Sequence, residues 1–348
     1  METVYYLGAC TPSGFFSHYD ALLREVRRLT VLKGGAGCGK STFLRAVGRA
    51  ARERGLDVSY ILCSSDPDSL DAVILPSLSA AFVDGTAPHV LEPKICGGSM
   101  NYLNFGEFYD AAGMQANEEE LLQTQQKNAA QYPLVTACLS SANELLGCVR
   151  SKTARTAYDE EMASIAECLA LSSLKPHAQT PIVRHRFLSA VTPKGLCLCS
   201  QTPSALCSRV YVLRDDYGLA PRLLGALLQK AESLGHECVV CHSPLLPDGQ
   251  PVHLLLPTAQ TAFVSESHDF PYDGPSFCRI DLNSTLPPDT KRELEFCRKT
   301  VTSLLYQAVS HLREAKRLHD RMEQLCRPFV DFAAVDAKTE QFISDFFA

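Results

Sequence analysis

The chain has 348 residues, 46% hydrophobic and 21% charged, which suffices for two domains with cores of their own and excludes an extended disordered polymer. A formal net charge of −6 argues against a general nucleic-acid or anionic-membrane binder, which needs a basic surface. The opening METVYYLGAC lacks the regions of an export signal, and the longest apolar run, near 72–83, is broken by Pro76 and too short to span a bilayer. A cytoplasmic protein that makes no membrane contact is expected, with its fifteen cysteines as thiols.

In chain order, a short strand runs into a Thr-Pro-Ser-Gly turn at 11–14 and is followed by a hydrophobic strand at 29–32. A helix of helical apolar spacing covers 40–54, and further strands are expected at 58–63 and 80–84. Helices follow at 118–127, 134–150 and 155–171, and the segment 172–181 carries two prolines and no hydrophobic period.

The pattern then repeats. Tyr6-Leu7-Gly8-Ala9-Cys10-Thr11-Pro12-Ser13-Gly14 returns 181 positions later as Phe187-Leu188-Ser189-Ala190-Val191-Thr192-Pro193-Lys194-Gly195. The same offset brings Arg28 to Arg209, Leu75-Pro76 to Leu256-Pro257 and Ala81-Phe82-Val83 to Ala262-Phe263-Val264. Strands are expected at 210–213, 237–242 and 261–264, and helices at 219–234, 291–325 and 336–347. Matches in one order at one offset indicate a duplicated domain. The expected fold is α/β: two P-loop NTPase-like three-layer domains with mainly parallel sheets, each followed by a helical segment. Residues 1–176 form the domain with the intact loop, and 177–348 form a degenerate repeat with its own C-terminal helices.

Between a strand and a helix stands Gly34-Gly35-Ala36-Gly37-Cys38-Gly39-Lys40-Ser41, followed by Thr42, which satisfies G-x-x-x-x-G-K-[ST]. Glycines let backbone N–H groups turn inward around a phosphate, and the following helix points its positive end at the same place. Lys40 supplies a cation for the β and γ phosphates, and the Ser41 hydroxyl suits Mg²⁺. Asp84, ending the strand 80–84, is the carboxylate expected opposite the metal, although Asp84-Gly85 also reads as a simple turn. Position 85 is Gly where many ATPases carry Glu, so a base must come from elsewhere. Asp66 and Asp68, after the strand 58–63, are candidates for orienting water or an acceptor, with helix or turn capping as the alternative. His89 lies on the next loop, where a solvated histidine is an equal reading.

The second copy reads Asp215-Asp216-Tyr217-Gly218-Leu219-Ala220-Pro221-Arg222 at the loop and Ser265 in place of Asp84, so phosphate and metal binding are expected to be lost together. Arg184, Arg186 or Lys194 could reach a γ-phosphate in the first copy, or could belong to an ordinary basic strand. Cys238 and Cys241 with His242, completed by Cys197 and Cys199, could form a zinc site, but strand alternation would point Cys238 and Cys241 to opposite faces.

Val31-Leu32-Lys33-Gly34-Gly35, Ser65 to Asp71, Val83-Asp84-Gly85-Thr86-Ala87-Pro88-His89, Arg184 to Gly195, His319-Asp320 and Val330-Asp331-Phe332 together make the chain resemble a poorly characterised bacterial family of tandem P-loop ATPases. That resemblance implies nucleotide binding and, usually, a P-loop in both halves, from which this second half departs. The leading expectation is a slow Mg²⁺-dependent ATPase with one active site, whose nucleotide state moves a helical surface or a protein partner. A small-molecule or nucleotide kinase, or a switch that binds without hydrolysing, are the alternatives. The guanine-recognition N-K-x-D string is absent, which favours ATP.

Overall fold

The computed structural model describes residues 1–87, 91, 97–154, 156–177 and 179–348. In the first half, β1 (Glu2–Tyr5) precedes a hairpin, β2 (Gly8–Thr11) and β3 (Gly14–Ser17), and a short helix α1 (Tyr19–Glu25). Then come β4 (Arg28–Lys33), α2 (Lys40–Glu53), β5 (Val58–Leu62), β6 (Leu70–Leu75), β7 (Ala80–Asp84) and β8 (Met100–Asn104). Helices α3 (Ala111–Ala116), α4 (Glu118–Ala129), α5 (Gln131–Thr153) and α6 (Thr156–Ser173) end this half.

The second half has β9 (Val183–Arg186), the hairpin β10 (Ser189–Thr192) and β11 (Gly195–Leu198), α7 (Gln201–Leu206), β12 (Arg209–Arg214) and α8 (Ala220–Ser233). It continues with β13 (Cys238–Cys241), β14 (His253–Leu256), β15 (Thr261–Glu266), β16 (Cys278–Asp281), the 39-residue α9 (Pro288–Cys326) and α10 (Phe332–Phe347).

The sheets run β1-β5-β6-β7-β4-β8 and β9-β13-β14-β15-β12-β16, the same order position by position. Both are mixed and mostly parallel, with β6 and β14 antiparallel to both neighbours. Neither antiparallel strand is evident from sequence periodicity: Leu70–Leu75 is buried throughout, so no alternation marks it. The long helices α2 and α8 also stop alike. Gly55 (φ 74°) and Gly235 (φ 82°) take the left-handed conformation that favours glycine, and the amide one residue on, of Leu56 or His236, bonds back to Ala51 or Ala231.

The inner faces of the two sheets meet in one shared cluster. Along β4 and β7, Leu29, Val31, Ala81 and Val83 face one cluster, which also holds Val210, Val212, Ala262 and Val264 of the other sheet. Leu32, Ala80 and Phe82 face α2 instead. Each sheet therefore packs one face on long helices, and its other face enters a core shared by the two sheets, in which Tyr19 and Leu22 of α1 and Cys207 at the end of α7 also take part. Tyr6 and Phe187, equivalent by sequence, exchange reciprocal backbone hydrogen bonds of 2.9 Å, as expected where a pseudo-two-fold axis passes between matching residues.

The terminal helices cross over. Met162, Ala166, Leu169 and Ala170 of α6 join the cluster of Leu223, Leu224 and Leu227 on α8, in the opposite half. Phe342 and Phe346 of α10 meet the first half instead: Phe342 lies 5.2 Å from Phe43 and Phe346 lies 5.0 Å from Phe82, centroid to centroid. Between them α5 and α9 pair through Val135, Leu139, Ala142, Leu305, Ala308 and Leu312. No helix among the described residues is long and apolar enough to cross a membrane.

One buried histidine gives this core a pH signature. His253 is 2% exposed, its Nδ1 accepts the Ser265 amide at 3.2 Å, and burial lowers its imidazole from 6.5 to about 3. Between those values the unfolded chain binds a proton that the folded chain does not. The His253 contribution is thus complete above about pH 6.5 and falls away below it, by about 1.4 kcal/mol per pH unit, until the folded value is reached. His253→Asn keeps an acceptor for Ser265 without titrating, and denaturant midpoints between pH 6.5 and 4 are expected to flatten accordingly. An unchanged slope would remove His253 from the acid response.

Candidate functional site

The loop 34–39 joins β4 to α2. Gly37 (φ 71°) and Gly39 (φ 95°) adopt backbone conformations that other residues rarely take, and this turns the chain around the start of α2. Glycine is also needed for space: a Cβ on Gly37 would lie 3.1 Å from Arg327 Cγ, and one on Gly39 would lie 3.0 Å from Val335 Cγ1. Both neighbours come from the second half, so the loop is clamped by the end of α9 and the start of α10.

Lys40 is 9% exposed, and its Nζ donates to the carbonyls of Gly34 (2.9 Å) and Gly35 (2.7 Å) while lying 3.7 Å from Asp84. Tyr109 donates to the Ala36 carbonyl at 2.8 Å and Cys38 to the Gly35 carbonyl at 3.1 Å, bracing the loop from two sides. Ser41 Oγ accepts the Leu70 amide at 3.0 Å. Asp84 ends β7 beside Leu32 of β4, and its Oδ1 accepts from the Thr86 amide (2.9 Å) and hydroxyl (2.6 Å). Thr86 thus fixes the carboxylate at the loop and leaves its second oxygen toward Lys40. Gly85 has a steric reason: a Cβ there would overlap Val31 Cγ1, so no glutamate fits after Asp84.

These groups line a chamber of about 1250 Å³ together with Thr42, Arg45, Asp66 and Asp71. Its roof is helical and comes from both halves, with Gln125 and Tyr132 on α4 and α5 and Lys316, His319 and Glu323 on α9. Asp66 lies inside, accepting the Ser69 hydroxyl at 3.0 Å and standing 3.6 Å from Lys316. Burial pulls the Lys316 ammonium down, but the Asp320 and Asp66 carboxylates outweigh it and lift the value above the ordinary lysine range. Lys316 therefore stays charged in the roof. Ligand atoms of His319, Asp320 and Glu323 also lie within 4.8 Å of one another there, with Asp320 holding Lys316.

Several expected residues lie elsewhere. Asp68 is turned to the surface, 73% exposed on its side chain, where Lys194 pairs with it and holds its carboxyl below the ordinary range. Arg184 and Arg186 pair with Glu25 at the β9 edge of the second sheet and do not line the chamber. They are held there because α1 places an acid beside that strand. Besides Lys40, the chamber is lined by Arg45, Lys316 and Arg327, which carry no local motif, and two of them lie almost three hundred residues from the loop. Asp71 escapes a motif reading too, although a carboxylate inside the apolar run Leu70–Leu75 is a visible signal. His89 lies outside the described residues. Cys238 and Cys241 face different cores across β13, as strand alternation requires.

The equivalent loop of the second half shows what the geometry accommodates. Asp215, in place of Gly34, is 7% exposed and its carboxylate accepts from the amides of Tyr217 (3.1 Å) and Ala220 (2.7 Å) at the start of α8. Burial pushes this carboxyl up, against the backbone N–H groups of Leu219, Ala220, Tyr217 and Gly218 that favour its ionised form. The cradle thus holds a carboxyl group supplied by the chain itself. Asp216 does not sit there; it pairs with Asn283 and lies 3.7 Å from Arg298. Arg222 is tied to the Thr153 carbonyl at 2.6 Å and to Asp159. The space that remains is about 300 Å³. No protein family, curated protein or solved structure matches this chain.

Proposed function

We propose that the first half binds a nucleoside triphosphate with Mg²⁺, ATP being favoured, and hydrolyses it slowly, while the second half is a duplicated relative whose own site is closed. One observation carries the reading: in the second half the same strand–loop–helix geometry binds a carboxylate through the amides of Tyr217 and Ala220. In the first half the amide matching Ala220, at the first position of the helix, belongs to Lys40, and Gly34 has no side chain to occupy the cradle. An external anion suits that cradle, and the P-loop pattern with a buried lysine makes it a phosphate. Ser41 and Asp84 offer the hydroxyl and carboxylate that hold Mg²⁺, which supplies charge neutralisation across the β and γ phosphates. Gly34 through Thr42 would wrap the phosphates, with Lys40 as their cation.

The chamber supports a second reading. At about 1250 Å³ it exceeds the range of roughly 300–1,000 Å³ usual for small-molecule sites, leaving room for an acceptor beside the nucleotide. Asp66 would then face the acceptor hydroxyl of a kinase substrate. Release of inorganic phosphate without an added acceptor separates hydrolysis from transfer.

Isothermal titration with Mg²⁺–ATP is expected to find one nucleotide per chain. Pro221→Lys should leave that stoichiometry at one, because the Asp215 carboxylate still fills the second cradle. A value of two in the native protein would mean that the second half binds by another route.

A further inference from the structure

The nucleotide reading leaves hydrolysis without a base. Gly85 cannot become an acid without striking Val31, and Asp66 is occupied by Ser69 and Lys316. β6 and β7 are antiparallel with Ala72 opposite Val83, and extending that register by one pair sets Asp71 opposite Asp84. Both positions fall within their strands, and directly opposed side chains have Cβ atoms about 4.5–5.5 Å apart. Alternation puts Asp71 on the face of Val73 and Leu75, and Asp84 on the face of Ala80 and Phe82, which is the side that carries α2 and its loop. Asp71 is 5% exposed, lines the chamber and is hydrogen-bonded by the Cys63 thiol. A carboxylate buried in a central, otherwise apolar strand is costly, and no structural need for it is visible in the matching strand. There, β14 with β15 sets His253 opposite Val264, so the counterpart of Asp71 is Val252 and the counterpart of Asp84 is Ser265. The half that has Ala220 where α2 begins with Lys40, and Ser265 in place of Asp84, has no acid here either.

We propose that Asp71 is the catalytic base of the first-half site, positioning the water that attacks the γ-phosphate. The inference rests on the nucleotide reading given above. The water oxygen forms a bond to the γ-phosphorus while the bond from that phosphorus to the β–γ bridging oxygen breaks. The proton from water passes to an Asp71 carboxylate oxygen, and the products are the nucleoside diphosphate and inorganic phosphate. Asp84, beside it, serves the metal, so the two acids divide the work.

The test uses the full chain, Mg²⁺–ATP titration and release of inorganic phosphate. Asp71→Asn is expected to keep the dissociation constant within about twofold and to lower turnover about 100-fold or more, the usual range for losing a general base. Asp71→Glu is expected to recover part of that loss. Asp84→Asn should weaken the magnesium-dependent part of binding. If Asp71→Asn fails to fold, Asp71→Val substitutes, since the second half carries Val252 at the matching position. The proposal is overturned if either variant turns over within threefold of the native chain, or if it loses magnesium-dependent binding as Asp84→Asn does. A native chain that binds Mg²⁺–ATP without releasing phosphate also overturns it, leaving the nucleotide site standing. A native chain that does not bind removes both.

Discussion

Lys40→Ala is expected to abolish the thermal stabilisation that Mg²⁺–ATP gives the native chain. Ligand at about 100 times its dissociation constant adds roughly 2.7 kcal/mol. For domains of about 150–250 residues each kcal/mol moves the melting temperature by about 2–4 °C, so a native shift of several degrees is expected. The reason is local. Lys40 Nζ already sits at the mouth of the loop, on the Gly34 and Gly35 carbonyls, and is the buried cation at its base. Its removal leaves the amide cradle intact but without the cation at the loop itself that balances a triphosphate near Asp84 and Asp71. Because the substitution also deletes two internal hydrogen bonds, the comparison is between shifts, each measured against the same variant without nucleotide. A full shift in Lys40→Ala would move the nucleotide away from this loop.

Cutting the chain between 176 and 177 is expected to give two fragments that do not fold alone, and whose co-expression restores a single cooperative transition. Residues 1–176 would leave Phe43 and Phe82 without Phe342 and Phe346, and would expose Leu29, Val31, Ala81 and Val83 without the second sheet. Residues 177–348 would leave Leu223, Leu224 and Leu227 without α6. Exposing several large apolar side chains at about 1.5–3 kcal/mol each exceeds the 5–15 kcal/mol by which ordinary proteins are stable. Far-ultraviolet circular dichroism and urea unfolding of each fragment, alone and combined, provide the check. A first fragment that unfolds cooperatively by itself would show that the exchanged helices are dispensable.

Much of the fold was legible in the sequence because its signals are local. The strand into the loop, the helix after Lys40 and the long helix α9 follow from periodicity, and the matching halves follow from residues recurring at one offset. The same logic exposed Gly34 through Ser41, since the pattern lies in one contiguous stretch. β6 was not legible, because a strand buried on both faces carries no alternation, and neither was its direction.

The sequence by itself determined the loop, Asp84 at the end of its strand and the repetition of the whole pattern. Only tertiary structure decided which faces met: the inner faces of both sheets in one shared core, α6 on the second half, α10 on the first. That choice depends on the shapes of apolar surfaces that sequence order does not connect. It also decided the composition of the chamber, bringing Lys316 and Arg327 over the loop, setting Asp71 opposite Asp84 and turning Asp68 away. A side chain's chemistry is written in its own residue, but its partners are set by burial and register between segments far apart in the chain, and no local pattern encodes those.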